Sequence, residues 1–180
     1  VRDQELRRDA WLALAALAIE EGRAAEAEPL ALAAAEQFAE EQQADNEAWA
    51  RTLLAEARVA QGRVAEGLRE LERARQQSAT TQNAVIGFLV RRKNLELAVE
   101  NPKNKVEILR ALDSLLDETR KLGFLAEQLE IKLLKQRALL AASSSVEPAQ
   151  MIQDIVKQAD AAGLGLIAIK ANKLIGKRRN

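Results

Sequence analysis

Apolar side chains recur along this chain at steps of three and four, the spacing that gathers them on one face of an α-helix. Glycine and proline punctuate that pattern and divide it into helices of about 15–20 residues. The first is predicted over 3–21, with Leu6, Trp11, Leu14, Ala15 and Ala18 on one side, and Gly22 ends it. A second covers 24–43, where Leu30, Ala34 and Phe38 form a stripe. Asp45 and Asn46 are placed to cap a third over 46–61, which Gly62 closes. A fourth over 64–78 presents Leu68, Leu71 and Ala74 (or Arg75), and a loop at 78–83 follows. The fifth spans 84–100 and stops at Asn101-Pro102, because proline disfavours helical geometry in the residue before it. The sixth, over 104–122, carries Val106, Leu109, Leu112, Leu115 (or Leu116) and Leu122, and Gly123 marks the turn. The seventh, over 125–142, carries Leu129, Leu133 and Leu140. A loop at 143–148, with Ser145 as a cap, leads to an eighth over 147–162 with Met151, Ile155, Val156 and Ala159. Gly163 and Gly165 break it, and a closing helix runs over 165–177.

These helices pair with a period near 40. Gly22, Arg23, Ala25 and Glu26 return in place as Gly62, Arg63, Ala65 and Glu66. The units are 3–43, 46–80, 84–122 and 125–162, followed by the closing helix, within a single repeat domain over 1–180. Self-similarity at this period is the mark of a solenoid. Each pair exposes an apolar face that only the next pair can cover. The 35 alanines fit close helix approach. The expected fold is therefore all-α: an α-α superhelix of about four helix-turn-helix repeats plus a closing helix. A coiled coil needs unbroken heptads, which glycine and proline interrupt about every 20 residues.

Composition agrees. There is no Tyr, and only three Phe and two Trp, so β formers are scarce. Ala, Leu, Glu, Gln, Arg and Lys, which lose little freedom in a helix, dominate. The longest apolar run, residues 11–19, is too short to span a bilayer and reads as a buried helix, so no membrane partner is expected. The absence of Cys fits a reducing, cytoplasmic compartment. The chain opens on Val1 and is expected to be a piece of a longer protein.

The first unit reads Trp11-x2-Leu14-Ala15, then Gly22, Ala27 and Ala34; the second reads Leu54-Ala55, then Gly62, Leu71 and Ala74. These motifs resemble the tetratricopeptide repeat, and the resemblance implies a right-handed superhelix. The period of 40 exceeds that family's 34, and the usual proline at the unit end is missing, so a HEAT-like array is the other reading. Residues 121–141 and 161–177 are similar to segments of the arrays that follow bacterial Ser/Thr protein kinases and winged-helix transcription regulators. That likeness implies a non-catalytic docking or regulatory part of a larger bacterial signalling protein. The alternative it leaves open is a ligand- or peptide-sensing domain that controls an attached kinase or DNA-binding domain.

Candidate chemistry is sparse. With neither His nor Cys, Ser-His and Cys-His nucleophile systems and nearly all zinc sites are ruled out. No glycine-rich phosphate loop occurs, so neither an enzyme nor a cofactor or metal site is expected. Trp11 and Trp49, 38 apart, are read as packing anchors at similar positions of successive units, with a peptide clamp as the alternative. Charge is uneven. Residues 1–80 hold 10 basic and 16 acidic side chains, net −6, and residues 81–180 hold 17 and 11, net +6. In a right-handed stack the first helix of each pair lines the concave side. Arg91, Arg92, Lys132, Lys135, Lys170 and Lys173 fall on those helices and form the candidate partner-binding face. Such a face suits an acidic peptide or protein segment; solvated lysines are the plain alternative. Nucleic acid is disfavoured, because the net charge is zero and no aromatic residues interleave with the basic ones.

Overall fold

The computed structural model describes residues 2–79, 83–100, 104–140 and 147–176, with the side chains of 2–6, 100 and 147–149 outside that description. Among the described residues there are nine α-helices and no strand. In chain order they are α1 (Arg2–Glu20), α2 (Ala24–Glu40), α3 (Ala44–Ala60), α4 (Val64–Ser78) and α5 (Ala84–Glu100). They continue as α6 (Lys105–Leu122), α7 (Leu125–Leu140), α8 (Glu147–Ala161) and α9 (Gly165–Gly176). The chain divides into two compact units, Val1–Asn94 and Leu95–Asn180. No helix among the described residues is long and apolar enough to cross a membrane.

Five helix ends follow one device. At Gly22, Gln42, Gly62, Gly123 and Gly163 the backbone turns left-handed. In each case the next amide donates back across the turn: Arg23 N–H to Ala18 O, Gln43 to Phe38, Arg63 to Arg58, Phe124 to Thr119 and Leu164 to Ala159. This is the six-to-one bond of a Schellman cap, and it satisfies carbonyls that the helix end leaves open. Four of the five turns carry glycine, as the sequence predicts. The fifth is Gln42, at φ 58°, so α2 ends at Glu40 rather than at 43. A side chain there crowds the following carbonyl. Gln42→Gly is expected to raise the unfolding free energy by about 0.5–1 kcal/mol, after the greater freedom of glycine in the unfolded chain is subtracted. Urea melts check this, and a loss of stability would mean the turn carries no strain.

Caps at helix starts differ from expectation at α3. Asp45 and Asn46 lie inside its first turn, and Gln43 holds the cap position without a side-chain cap bond. The Asn46 amide instead donates to Gln43 Oε1 at 2.8 Å. Asn104 does cap α6, accepting from the Glu107 amide at 3.3 Å. The predicted turn at Asn101-Pro102 and the Ser145 cap, like the side chain of Leu6, lie outside the described residues.

In the first unit consecutive helices pack, α1 on α2, α2 on α3 and α3 on α4, and α1 also touches α3. Alanine sets the spacing. Ala27, Ala31, Ala34 and Ala35 of α2, together with Phe38, are fully buried. Ala50, Leu53, Leu54 and Ala57 of α3 pack against them and against Ala15 and Ala18 of α1. On α4, Gly67 replaces the alanine 40 residues earlier, and a Cβ there would stand 2.7 Å from the Ala55 carbonyl oxygen. Val90 and Ile86 of α5 close on Ala48 and Ala74. In the second unit α6 packs on α7, α7 on α8 and α9, and α8 on α9. Its main cluster joins Leu129 and Leu133 to Ile152, Ile155, Ala159, Ile167, Ala168 and Ala171.

Several predicted stripe members face outward. Leu14, Leu68, Val106, Leu122 and Met151 are exposed. On α4, α6 and α8 the buried positions include Gly67, Ile108, Thr119 and Ile152, which the predicted stripes did not contain. A helix with apolar residues on more than one side fits several stripes, and the neighbouring helix chooses among them.

Candidate functional site

The six candidate basic residues fall into two groups. Arg91 and Arg92 lie on the part of α5 that belongs to the first unit. Arg91 is exposed, and its Nε donates to the Gly87 carbonyl one turn back at 3.1 Å. Arg92 is half-buried. Lys132 and Lys135 lie on α7, and Lys170 and Lys173 on α9, in the second unit.

Three of these four lysines reach across to another helix. Lys132 Nζ donates to Gln158 Oε1 of α8 at 3.2 Å. Lys135 Nζ pairs with Asp113 of α6 at 2.5 Å. Lys170 Nζ pairs with Glu130 of α7 at 3.2 Å. Lys173 is exposed on α9. An ammonium has three donors, so each bridged lysine keeps donor capacity at the surface.

Lys170 is 38 residues after Lys132, not 40, and two residues turn a helix by about 200°. The two pairs therefore do not repeat one position. Lys170 turns back to α7 through Glu130, 40 residues before it. The same arithmetic separates the tryptophans. Trp11 packs with Ala34, Ala35, Phe38 and Ala50, whereas Trp49 packs with Ala15, Ala31, Leu53 and Leu54. Both are half-buried packing residues, on different faces rather than on equivalent ones.

The position 40 after Trp11 is Arg51, and it belongs to an ion lattice that sequence reading missed. Arg51 pairs with Glu47 of its own helix at 2.6 Å and with Glu70 of α4 at 2.9 Å. Arg58 joins Glu70 at 3.1 Å and Glu28 of α2 at 3.2 Å. Arg73 adds a third guanidinium to Glu70 at 3.0 Å, while Arg63 and Gln61 bind Glu28. Glu47 and Glu70 are buried. Burial raises the affinity of the Glu28 carboxyl for its proton, but hydrogen bonds from Gln61, Arg58 and Arg63 outweigh this and hold its pKa below the ordinary value. Burial likewise works against the Arg51 charge, and Glu47 and Glu70 overcome it and raise its pKa. A signal was present in the sequence. Across one period Trp11 becomes Arg51, Ala18 becomes Arg58 and Leu30 becomes Glu70, so three apolar positions turn charged together and with both signs.

No protein-family model matches the chain, and neither a curated protein nor a solved structure matches it.

Proposed function

We propose that this chain is a non-catalytic scaffold for protein–protein contact, working in the cytoplasm as a docking or regulatory module of a larger bacterial signalling protein. Its helix pairs wind as a right-handed superhelix of the tetratricopeptide type, and its partner is an acidic peptide or protein segment. The observation that carries this reading is the placement of Lys132, Lys135, Lys170 and Lys173 on the neighbouring helices α7 and α9. Three are steadied by partners on other helices, and the fourth is exposed. Cations on neighbouring helices attract carboxylates or phosphorylated side chains through charge-assisted hydrogen bonds.

The test is fluorescence anisotropy with a labelled peptide rich in Asp and Glu. Binding is expected at low salt and should weaken as ionic strength rises. Charge reversal at Lys132 and Lys135 together is expected to abolish it with helicity unchanged by circular dichroism. Lys173→Glu, at an exposed position, removes charge without breaking a bridge and should weaken binding in the same direction. Affinity unchanged in both variants would remove the cationic surface from the reading.

A further inference from the structure

The ion lattice of the first unit has a counterpart in the second, with its carboxylates removed. Arg51 stands nine residues after the left-handed residue Gln42, and Lys132 stands nine after the left-handed Gly123. The two turns are built alike. Gln43 N–H donates to Phe38 O and Phe124 N–H to Thr119 O, and one turn further on the amides of Glu47 and Gln128 donate to the carbonyls of Gln43 and Phe124. Hence α3 and α7 start in the same register. Each cation also reaches the helix that follows its own, Arg51 to Glu70 of α4 at 2.9 Å and Lys132 to Gln158 of α8 at 3.2 Å. The partners differ. Arg51 lies between two carboxylates, Glu47 and Glu70. Gln128 holds the position of Glu47, five residues after the turn, and its Nε2 donates to the Thr119 carbonyl of α6. Gln158 holds the role of Glu70. The cation is kept, and both counter-charges have become neutral carboxamides.

We propose that Lys132 is an anion seat that takes one carboxylate side chain of the acidic partner segment, in the place that Glu70 fills for Arg51. This rests on the reading of the partner given above and narrows it to one contact on α6, α7 and α8. Charge and access both support it. Among the described residues Lys132 bonds to Gln158 and has no carboxylate partner. A carboxamide oxygen carries only a partial charge, and a charge-assisted bond to a carboxylate is roughly twice as strong as a neutral one. The neighbouring cation, Lys135, is already paired with Asp113, so Lys132 is the one left to be balanced from outside. In the first unit the equivalent seat is closed, with Glu47 and Glu70 buried. In the second, Gln158 is exposed and Lys132 half-buried, so an incoming side chain has a way in. Two donors of the ammonium remain for it.

The test fills the seat from within. Gln158→Glu installs the carboxylate that the first unit has at Glu70, and it should weaken binding of the labelled Asp- and Glu-rich peptide about tenfold. Gln153→Glu adds the same charge at another exposed position of α8, and its effect through the general field should stay below about twofold. Lys132→Gln removes the seat and should weaken binding as much as Gln158→Glu does. In that background Gln158→Glu should cost no more than Gln153→Glu, because the two substitutions act on one contact. All variants are measured in the whole chain, with circular dichroism to show that the helices are kept. If Gln158→Glu binds no more weakly than Gln153→Glu, or keeps its full effect without Lys132, the seat is overturned and the acidic-partner reading stands. A wild-type chain that binds no acidic peptide overturns both.

Discussion

Glu70→Ala is expected to lower the unfolding free energy by about 3–5 kcal/mol. Glu70 is buried at 5% exposure and accepts from Arg51 and Arg58 of α3 and from Arg73 of its own helix. Arg51 and Arg58 are themselves largely covered, with side chains 17% and 16% exposed. Removing the carboxylate strands those guanidiniums away from full hydration, which costs more than the intact lattice contributes. Arg51 retains Glu47 and Arg58 retains Glu28, so the loss falls on the link between α3 and α4. Replacing the whole group by apolar residues, with Glu47→Leu, Glu70→Leu, Arg51→Met and Arg58→Met together, should recover most of the loss, because the buried charges go together while Glu28 keeps Arg63 and Gln61. Urea denaturation followed by circular dichroism decides the matter. A loss below about 1 kcal/mol for Glu70→Ala would show the lattice to be surface pairing of the ordinary weak kind.

Leu112→Ala should cost about 2–5 kcal/mol, the range for truncating a leucine in a packed interior. Leu112 is fully buried on α6 between Ile108, Leu115, Leu116 and Thr119. Behind it the Thr119 hydroxyl donates to the Leu116 carbonyl at 2.8 Å, and Gln128 of α7 donates to the Thr119 carbonyl at 3.2 Å. The Gln128 bond ties α6 to α7, so the face cannot collapse freely to fill a void. Val106→Ala and Leu122→Ala make the comparison sharp. Both positions belong to the stripe that the sequence pattern predicts, yet both are exposed, at 57% and 43%. Their expected effect is within about 0.5 kcal/mol. Equal losses at all three positions would mean that α6 buries a different face.

The helices themselves were legible along the chain because their ends are local events. Gly22, Gly62, Gly123 and Gly163 mark turns whose left-handed backbone favours a residue without a Cβ. Gln42 adopts the same conformation with no such mark, and the predicted end of α2 overran it. Burial was legible only in part. Phe38, Leu71, Leu112, Leu129, Ile155 and Ala159 are buried as their spacing implies, whereas Leu14, Leu68, Val106 and Met151 are exposed.

The candidate basic residues could be found in the sequence, but their partners could not. Lys135 meets Asp113 from 22 residues away, and Lys170 meets Glu130 from 40 away. Such pairings depend on which helices lie side by side and at what rotation. The sequence by itself determined the all-helical class, the spacing of the turns and the period of 40, because hydrogen bonds and caps within a few residues fix them. Only the tertiary structure decided which stripe of each helix is covered, and that Arg51, Arg58 and Glu70 form a shared lattice. Those outcomes follow from the rotation of each helix against its neighbours, where a shift of two residues turns a side chain to nearly the opposite side.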